Sequence, residues 1–184
     1  MLWLYKDTAR TKEEFIAFIH DDVIITERDW DLRVLAEFND PKVGLVGFGG
    51  ATAHGTDDLY TTPYRLQNLA RMGFASNLVD AEAHGERFQG SREVVVLDGF
   101  FMAARREMLD KFFWPVDKIF FHCYDYFFCC MARRLGYKIR MVGVACQHLG
   151  GATSVGMGVE RQGDHERSHR YIWEEFRDVL PARV

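Results

Sequence analysis

The stretch Phe15-Ile16-Ala17-Phe18-Ile19-His20-Asp21-Asp22-Val23-Ile24-Ile25 constrains the fold most. An apolar run leads into two adjacent carboxylates, and a second apolar run leads out. The pattern predicts a buried strand over 16–20 that stops at Asp21 and Asp22. Burying unpaired carboxylates costs roughly several kcal/mol, so the pair needs protons, partners or a metal. At the C-terminal edge of a parallel sheet they face the crevice in which open α/β folds bind ligands. Hard oxygen ligands there suit Mg²⁺ or Mn²⁺ carrying a phosphorylated substrate. The plainer reading of the same residues is a strand end with an acidic turn.

Strands and helices alternate after this point. Residues 8–15 are polar and helix-compatible. Thr26 is placed to cap a helix that carries Trp30, Val34, Leu35 and Phe38 on one face and ends at Asn39-Asp40-Pro41. Val43 to Phe48 reads as a buried strand. From Gly49 to about Arg92 the period is lost, with a helix expected near 64–72. Glu93 to Leu97 is a strand, Asp98-Gly99 breaks it, and Phe100 to Ala104 continues apolar. A short amphipathic helix is expected over 105–112. A longer one runs from about His122 through Asp125 to Leu135, closed by Gly136 after Arg133-Arg134. Lys138 to Val144 is the next strand, and Glu166 to Val179 a final helix. The order predicts an α/β fold with a mixed sheet flanked by helices.

Length and composition narrow the classes. The chain has 184 residues, 48% of them apolar, which suits one globular domain. A net charge of -4 leaves no electrostatic footprint for nucleic acid or an anionic membrane. No apolar run approaches the ~20 residues of a transmembrane span, and no signal peptide is evident. Four cysteines, with Cys129-Cys130 inside an apolar run, read as buried free thiols and point to the reducing cytoplasm.

Five motifs appear in a fixed order. They are Ile19-His-Asp-Asp-Val23; Val96-Leu-Asp-Gly-Phe-Phe-Met-Ala-Ala-Arg-Arg106; Trp114-Pro-Val-Asp117; His122-Cys-Tyr-Asp-Tyr126 with Arg133-Arg134-Leu135-Gly136-Tyr137-Lys138; and Gln147-His148-Leu149-Gly150-Gly151. Together they resemble the second half of a family-2 glycosyltransferase, an inverting enzyme of the GT-A fold, over residues 5–155. The resemblance implies one domain over 1–184, the C-terminal portion of a GT-A unit. Its parts are a DxD-type region (1–48), a long loop region (49–92), an acceptor and catalytic region (93–150), and a tail with a C-terminal helix (151–184). His20 stands at the first position of the DxD-type triplet. The family also has several strands and helices ahead of that motif, so the chain resembles an N-terminally shortened member.

The resemblance implies metal-dependent transfer of a sugar from a nucleotide-diphosphate donor to a hydroxyl acceptor. The acceptor is a saccharide or a lipid-linked one, in glycan or polysaccharide synthesis. Asp22 and His148 are the expected ligands of Mn²⁺ or Mg²⁺. Asp125 is the expected catalytic base. Asp21, Asp98, Gly99, Trp114, Asp117 and Tyr124 are the expected substrate contacts. Asp98 also has a plainer reading, a β-bulge in a buried strand. An open sheet edge at the strand before Asp21 predicts lost cover for Phe18 and Val46, and pairing with a second copy or a completing chain. The alternatives are a non-catalytic remnant that binds a saccharide or protein, and a zinc-stabilised module using His122, Cys123, Cys146 and His148.

Overall fold

The computed structural model describes residues 12–55, 75–77, 86–115, 117–119, 122–149 and 159–184. The expected helix near 64–72, the polar stretch 8–11, Gly150-Gly151 and the tail to 158 lie outside the described residues. The elements are β1 (Phe15–Ile19), β2 (Val23–Ile25), α1 (Trp30–Glu37), β3 (Val43–Gly47), β4 (Gly49–Ala51), β5 (Ala53–His54), β6 (Ala75–Ser76) and β7 (Ser91–Val94). They continue with β8 (Val96–Leu97), β9 (Phe101–Arg105), α2 (Arg106–Leu109), α3 (Tyr124–Arg134), β10 (Lys138–Val142), β11 (Cys146–His148), α4 (Val159–Glu175) and β12 (Ala182–Arg183).

The central sheet has the order β1-β9-β3-β10-β7. β9 runs antiparallel to both β1 and β3, while β3 and β10 are parallel. β1, β3 and β10 therefore point the same way and end at one sheet edge. The result is the mixed α/β sheet flanked by helices of a GT-A-like domain. Among the described residues β1 is the outermost strand, and its partner is antiparallel, not the parallel neighbour expected from the sequence. Phe18 and Val46 do not lose cover: they are 4% and 0% exposed. The Phe18 ring sits edge-on to Phe128 at 5.5 Å, so α3 supplies the cover.

The apolar run 93–104 does not continue as one strand. β7 pairs with β10, whereas β8 pairs with β4 in a separate small sheet, so the chain changes sheets at Val95. Asp98 and Gly99 lie in a turn between β8 and β9, not in a bulge. α1 also starts later than the Thr26 cap implies. The Thr26 hydroxyl donates to Ala145 O (3.1 Å), and Asp29 in the left-handed region precedes the helix without a side-chain cap bond. Leu35, expected on the apolar face, is exposed, and Val34 with Phe38 packs inward.

α3 is the central helix. Phe127, Phe128, Cys129, Cys130, Met131 and Ala132 are all buried. Its C-terminus closes as the sequence predicts: Gly136 has φ 81, with Gly136 N–H to Arg133 O and Tyr137 N–H to Ala132 O, both 2.9 Å. That reciprocal pair satisfies the last helical carbonyls. Across the sheet, the buried Arg105 guanidinium donates to Val43 O (3.2 Å) and Phe38 O (2.7 Å). It so ties the end of α1 to β3 and β9, and a charged donor to a buried carbonyl contributes about 1.5–3 kcal/mol.

Candidate active site

The site forms where β1 ends. Val23 N–H donates to His20 O (3.2 Å), which closes a tight turn over residues 20–23. His20 and Asp22 join one cluster, while Asp21 between them is exposed and stands outside it. β2 then pairs antiparallel with β11, in the register His148 opposite Val23. That ladder carries His148 to Asp22, with Nε2 3.2 Å from Asp22 Oδ1. Leu149 N–H donates to Asp22 O (2.9 Å) and fixes the junction. Behind it, Glu27 accepts from Ala145 N–H (2.9 Å) and pairs with Arg33, which also donates to Gly143 O (3.0 Å).

The β8–β9 turn comes in from the other side. His20 N–H donates to Phe100 O (3.0 Å), and Asp98 Oδ1 accepts from Phe100 N–H (3.2 Å). Tyr124, at the start of α3, donates its hydroxyl proton to Gly99 O (3.0 Å). A phenol has one proton, so the same oxygen must accept from His20 Nε2–H, with which it is in contact. His20 Nδ1 is then the acceptor nitrogen, in hydrogen-bond contact with His148 Nε2 at 3.2 Å. Burial, then the neighbouring His148, lowers the His20 pKa and favours the neutral, ligating form. Gly99 has a packing reason to be glycine: a Cβ there would stand 2.7 Å from Tyr124 Cζ.

His20, Asp22 and His148 each offer one ligand atom, all within 4.8 Å of one another. Two imidazole nitrogens and one carboxylate oxygen, half-buried at an open edge, form a set that could hold a divalent cation and leave positions for another ligand. The sequence expectation named Asp22 and His148 but not His20. The signal was present, because an imidazole can ligate where a carboxylate is expected in the triplet.

Asp125 lies on the far side of the same turn. Burial, then the nearby Asp98 charge, raises its pKa to about 7 against the opposing N–H groups of Tyr126 and Gly99. Asp98 thus stands electrostatically between His20 and Asp125. The Tyr124 hydroxyl is pushed upward by burial, then by Asp125 and Asp98, and remains a neutral phenol. Trp114 packs edge-on against Phe127 and Phe128 at 5.1 and 5.6 Å, which spends its ring on the core. Asp117 is a surface carboxylate 3.4 Å from Lys118 Nζ. The four residues of the zinc alternative are divided: His148 joins His20 and Asp22, Cys123 joins His165 and His169, and Cys146 packs in the core beside Val142 and Val144.

Residues 5–155 match the model of the glycosyltransferase like family. The chain belongs to this family. Sugar transfer is the general chemistry of such glycosyltransferases. Among solved structures, the crystal structure of A197 from STIV is similar at 18% identity with a TM-score of 0.46. The similarity covers 81% of this chain and 63% of that one, so the chain spans less than two thirds of that structure's length. No curated protein sequence matches. Among the described residues, no helix of this glycosyltransferase-like chain is long and apolar enough to cross a membrane.

Proposed function

We propose that the chain transfers a sugar, with inversion, from a nucleotide-diphosphate sugar to the hydroxyl of a saccharide or lipid-linked acceptor. The observation that carries this reading is the convergence of His20, Asp22 and His148 with the Asp98-Gly99 turn and Asp125 at one sheet edge. His20, Asp22 and His148 would hold the cation. Two imidazoles favour Mn²⁺ over Mg²⁺, because Mg²⁺ prefers an all-oxygen shell. A bound cation supplies charge neutralisation for the departing diphosphate.

The remaining work falls to the chain's own groups. Asp125, with a pKa near neutrality, accepts the acceptor's hydroxyl proton as that oxygen bonds to the anomeric carbon. The bond from the anomeric carbon to the diphosphate oxygen breaks, and the electron pair leaves with the nucleoside diphosphate. Asp98 is suited to a hydroxyl of the donor sugar, while Tyr124 fixes the tautomer and orientation of His20. Asp21 is exposed beside the cluster and is kept as a nucleotide contact. Buried free cysteines fit action in a reducing compartment, the cytoplasm. β1, the outermost strand among the described residues, would be the surface for a second copy or a completing chain.

The test is a panel of nucleoside diphosphates and their sugars, with Mn²⁺, with Mg²⁺ and without metal, read by thermal shift and by released nucleoside diphosphate. Mn²⁺-dependent stabilisation by one diphosphate class, with turnover, is expected. Stabilisation by free saccharides alone, independent of metal, would instead identify a saccharide-binding module.

A further inference from the structure

A second cluster of ligating side chains lies at the N-terminus of α3, apart from His20, Asp22 and His148. Cys123 is the residue that precedes the helix, with φ 64, and its thiol is buried. His165 and His169 stand four residues apart on α4 and so share a face, their ring centroids 4.3 Å apart. The ligand atoms of these three residues all lie within 4.8 Å of one another. His122 is adjacent, its ring centroid 5.4 Å from that of His165.

The second observation is His169 itself. It is 1% exposed, and neither ring nitrogen has a hydrogen-bond partner. A buried unsatisfied polar group costs about 1–3 kcal/mol, and an imidazole has two such atoms. An ordinary core histidine avoids this by bonding at least one of them. A metal ion takes up the lone pair of one nitrogen at once.

We propose that Cys123 Sγ, His165 and His169 bind a soft divalent cation, Zn²⁺, which clamps α4 to the start of α3. The donor set is one thiolate and two imidazoles, the borderline-soft combination zinc prefers over the hard cations. Tetrahedral zinc, at about 2.0–2.1 Å from nitrogen and 2.3 Å from sulfur, places ligand atoms roughly 3.3–3.7 Å apart. The ligand atoms, now within 4.8 Å of one another, must draw closer to reach that range, and His122 or a water would supply the fourth position. Cys123 and His169 are buried and His165 is half-buried, which leaves little room for a substrate and makes the role structural. It sets the helix terminus from which Tyr124 and Asp125 project. The proposal is independent of the sugar-transfer reading.

The experiment uses the full chain, expressed in zinc-supplemented medium and purified without added metal. Elemental analysis should find one equivalent of zinc. After chelation, titration with Co²⁺ should produce the near-ultraviolet thiolate-to-cobalt charge-transfer absorption. Cys123→Ser should abolish that absorption, and His169→Gln should weaken cobalt affinity by at least tenfold. If either variant fails to fold, the wild-type spectrum decides alone. Wild-type protein with no zinc and no thiolate–cobalt absorption overturns the proposal. So does absorption retained in Cys123→Ser, which would assign the thiolate to Cys129, Cys130 or Cys146.

Discussion

Two histidine clusters flank the first turn of α3, and they differ in their third ligand and in burial. The His20–Asp22–His148 cluster is half-buried at a sheet edge. Its imidazoles are oriented by a phenol, a backbone turn and a strand ladder, and it includes a carboxylate. The Cys123–His165–His169 cluster contains no carboxylate, and two of its three members, Cys123 and His169, are buried. Burial, then His165, His54 and His122, pushes the His169 pKa down to about 3. Open positions suit a catalytic cation that must receive a diphosphate, and a closed set suits a structural one. Tyr124 and Asp125 lie between the two, so one short helical turn connects the chemistry to the clamp.

The comparison is broken most directly at Asp22. Asp22→Ala should abolish Mn²⁺-dependent binding of a nucleoside diphosphate while leaving the fold and the Cys123 cobalt spectrum unchanged. Calorimetry and the spectrum are run on one preparation. Parental diphosphate affinity in the variant would remove Asp22 from the metal site.

Asp125→Asn is expected to retain donor affinity and lose about 10²–10⁴-fold in transfer, since an amide accepts no proton. Equal turnover would exclude Asp125 as base. The same variant has a pH signature. The Asp125 pKa is raised on folding to about 7. Above pH 7 the native state therefore holds a disfavoured charge, and stability rises as pH falls from 7 towards the unfolded value near 4. Asp125→Asn should be more stable than the parent at pH 8, by roughly 2–4 kcal/mol. That advantage should vanish below about pH 4. Urea midpoints at pH 8, 6 and 4 measure it, and a pH-independent difference would contradict the burial assigned to this carboxyl.

Tyr124→Phe sharpens the contrast at the shared turn. Loss of a group that orients a metal-bound histidine typically costs 10–100-fold in metal affinity. Mn²⁺ affinity should fall by about that factor, and zinc content should not change. An unchanged Mn²⁺ affinity would mean that His20 is positioned by the β8–β9 turn alone.

Asp22 and His148 of the open cluster were legible in the sequence, whereas His20 was not named and the second cluster stayed hidden, for a physical reason. Asp22 stands at the end of an apolar run and His148 at the end of a short strand. The β2–β11 ladder then carries His148 to Asp22. Asp98-Gly99 and Gly136 were legible because breaks and helix stops are local chemistry. Cys123 and His169 are joined only through the packing of α4, which no local period encodes. The change of sheet at Val95 was equally hidden, since Glu93 to Leu97 is one unbroken apolar-rich run. The four-residue spacing of His165 and His169 alone, without the facing Cys123, does not distinguish a metal site from an ordinary helix face.

The smallest expected effect concerns what holds α4 when the Cys123–His165–His169 cluster is empty. Arg134, at the end of α3, donates from Nε to Asp178 Oδ2 (2.9 Å) and from Nη1 to Glu175 Oε1 (2.8 Å). The guanidinium also lies 4.2 Å over the Phe176 ring. The Arg134 bond lowers the Asp178 pKa, so the pair's stabilisation is present above pH 4 and is lost as pH falls through the lowered value. Asp178 is half-exposed, and such pairs contribute only about 0.2–1 kcal/mol. Asp178→Asn should therefore cost no more than about 1 kcal/mol at pH 7 in zinc-loaded protein. If zinc and this clasp both fasten α4 to α3, they are coupled, and the same substitution should cost measurably more after chelation. Equal costs in loaded and chelated protein would mean that the two ends of α4 are held independently. Hydrogen exchange along α4 in the four states gives the result residue by residue, with protection in 165–175 falling furthest when both the metal and the Asp178 carboxylate are absent.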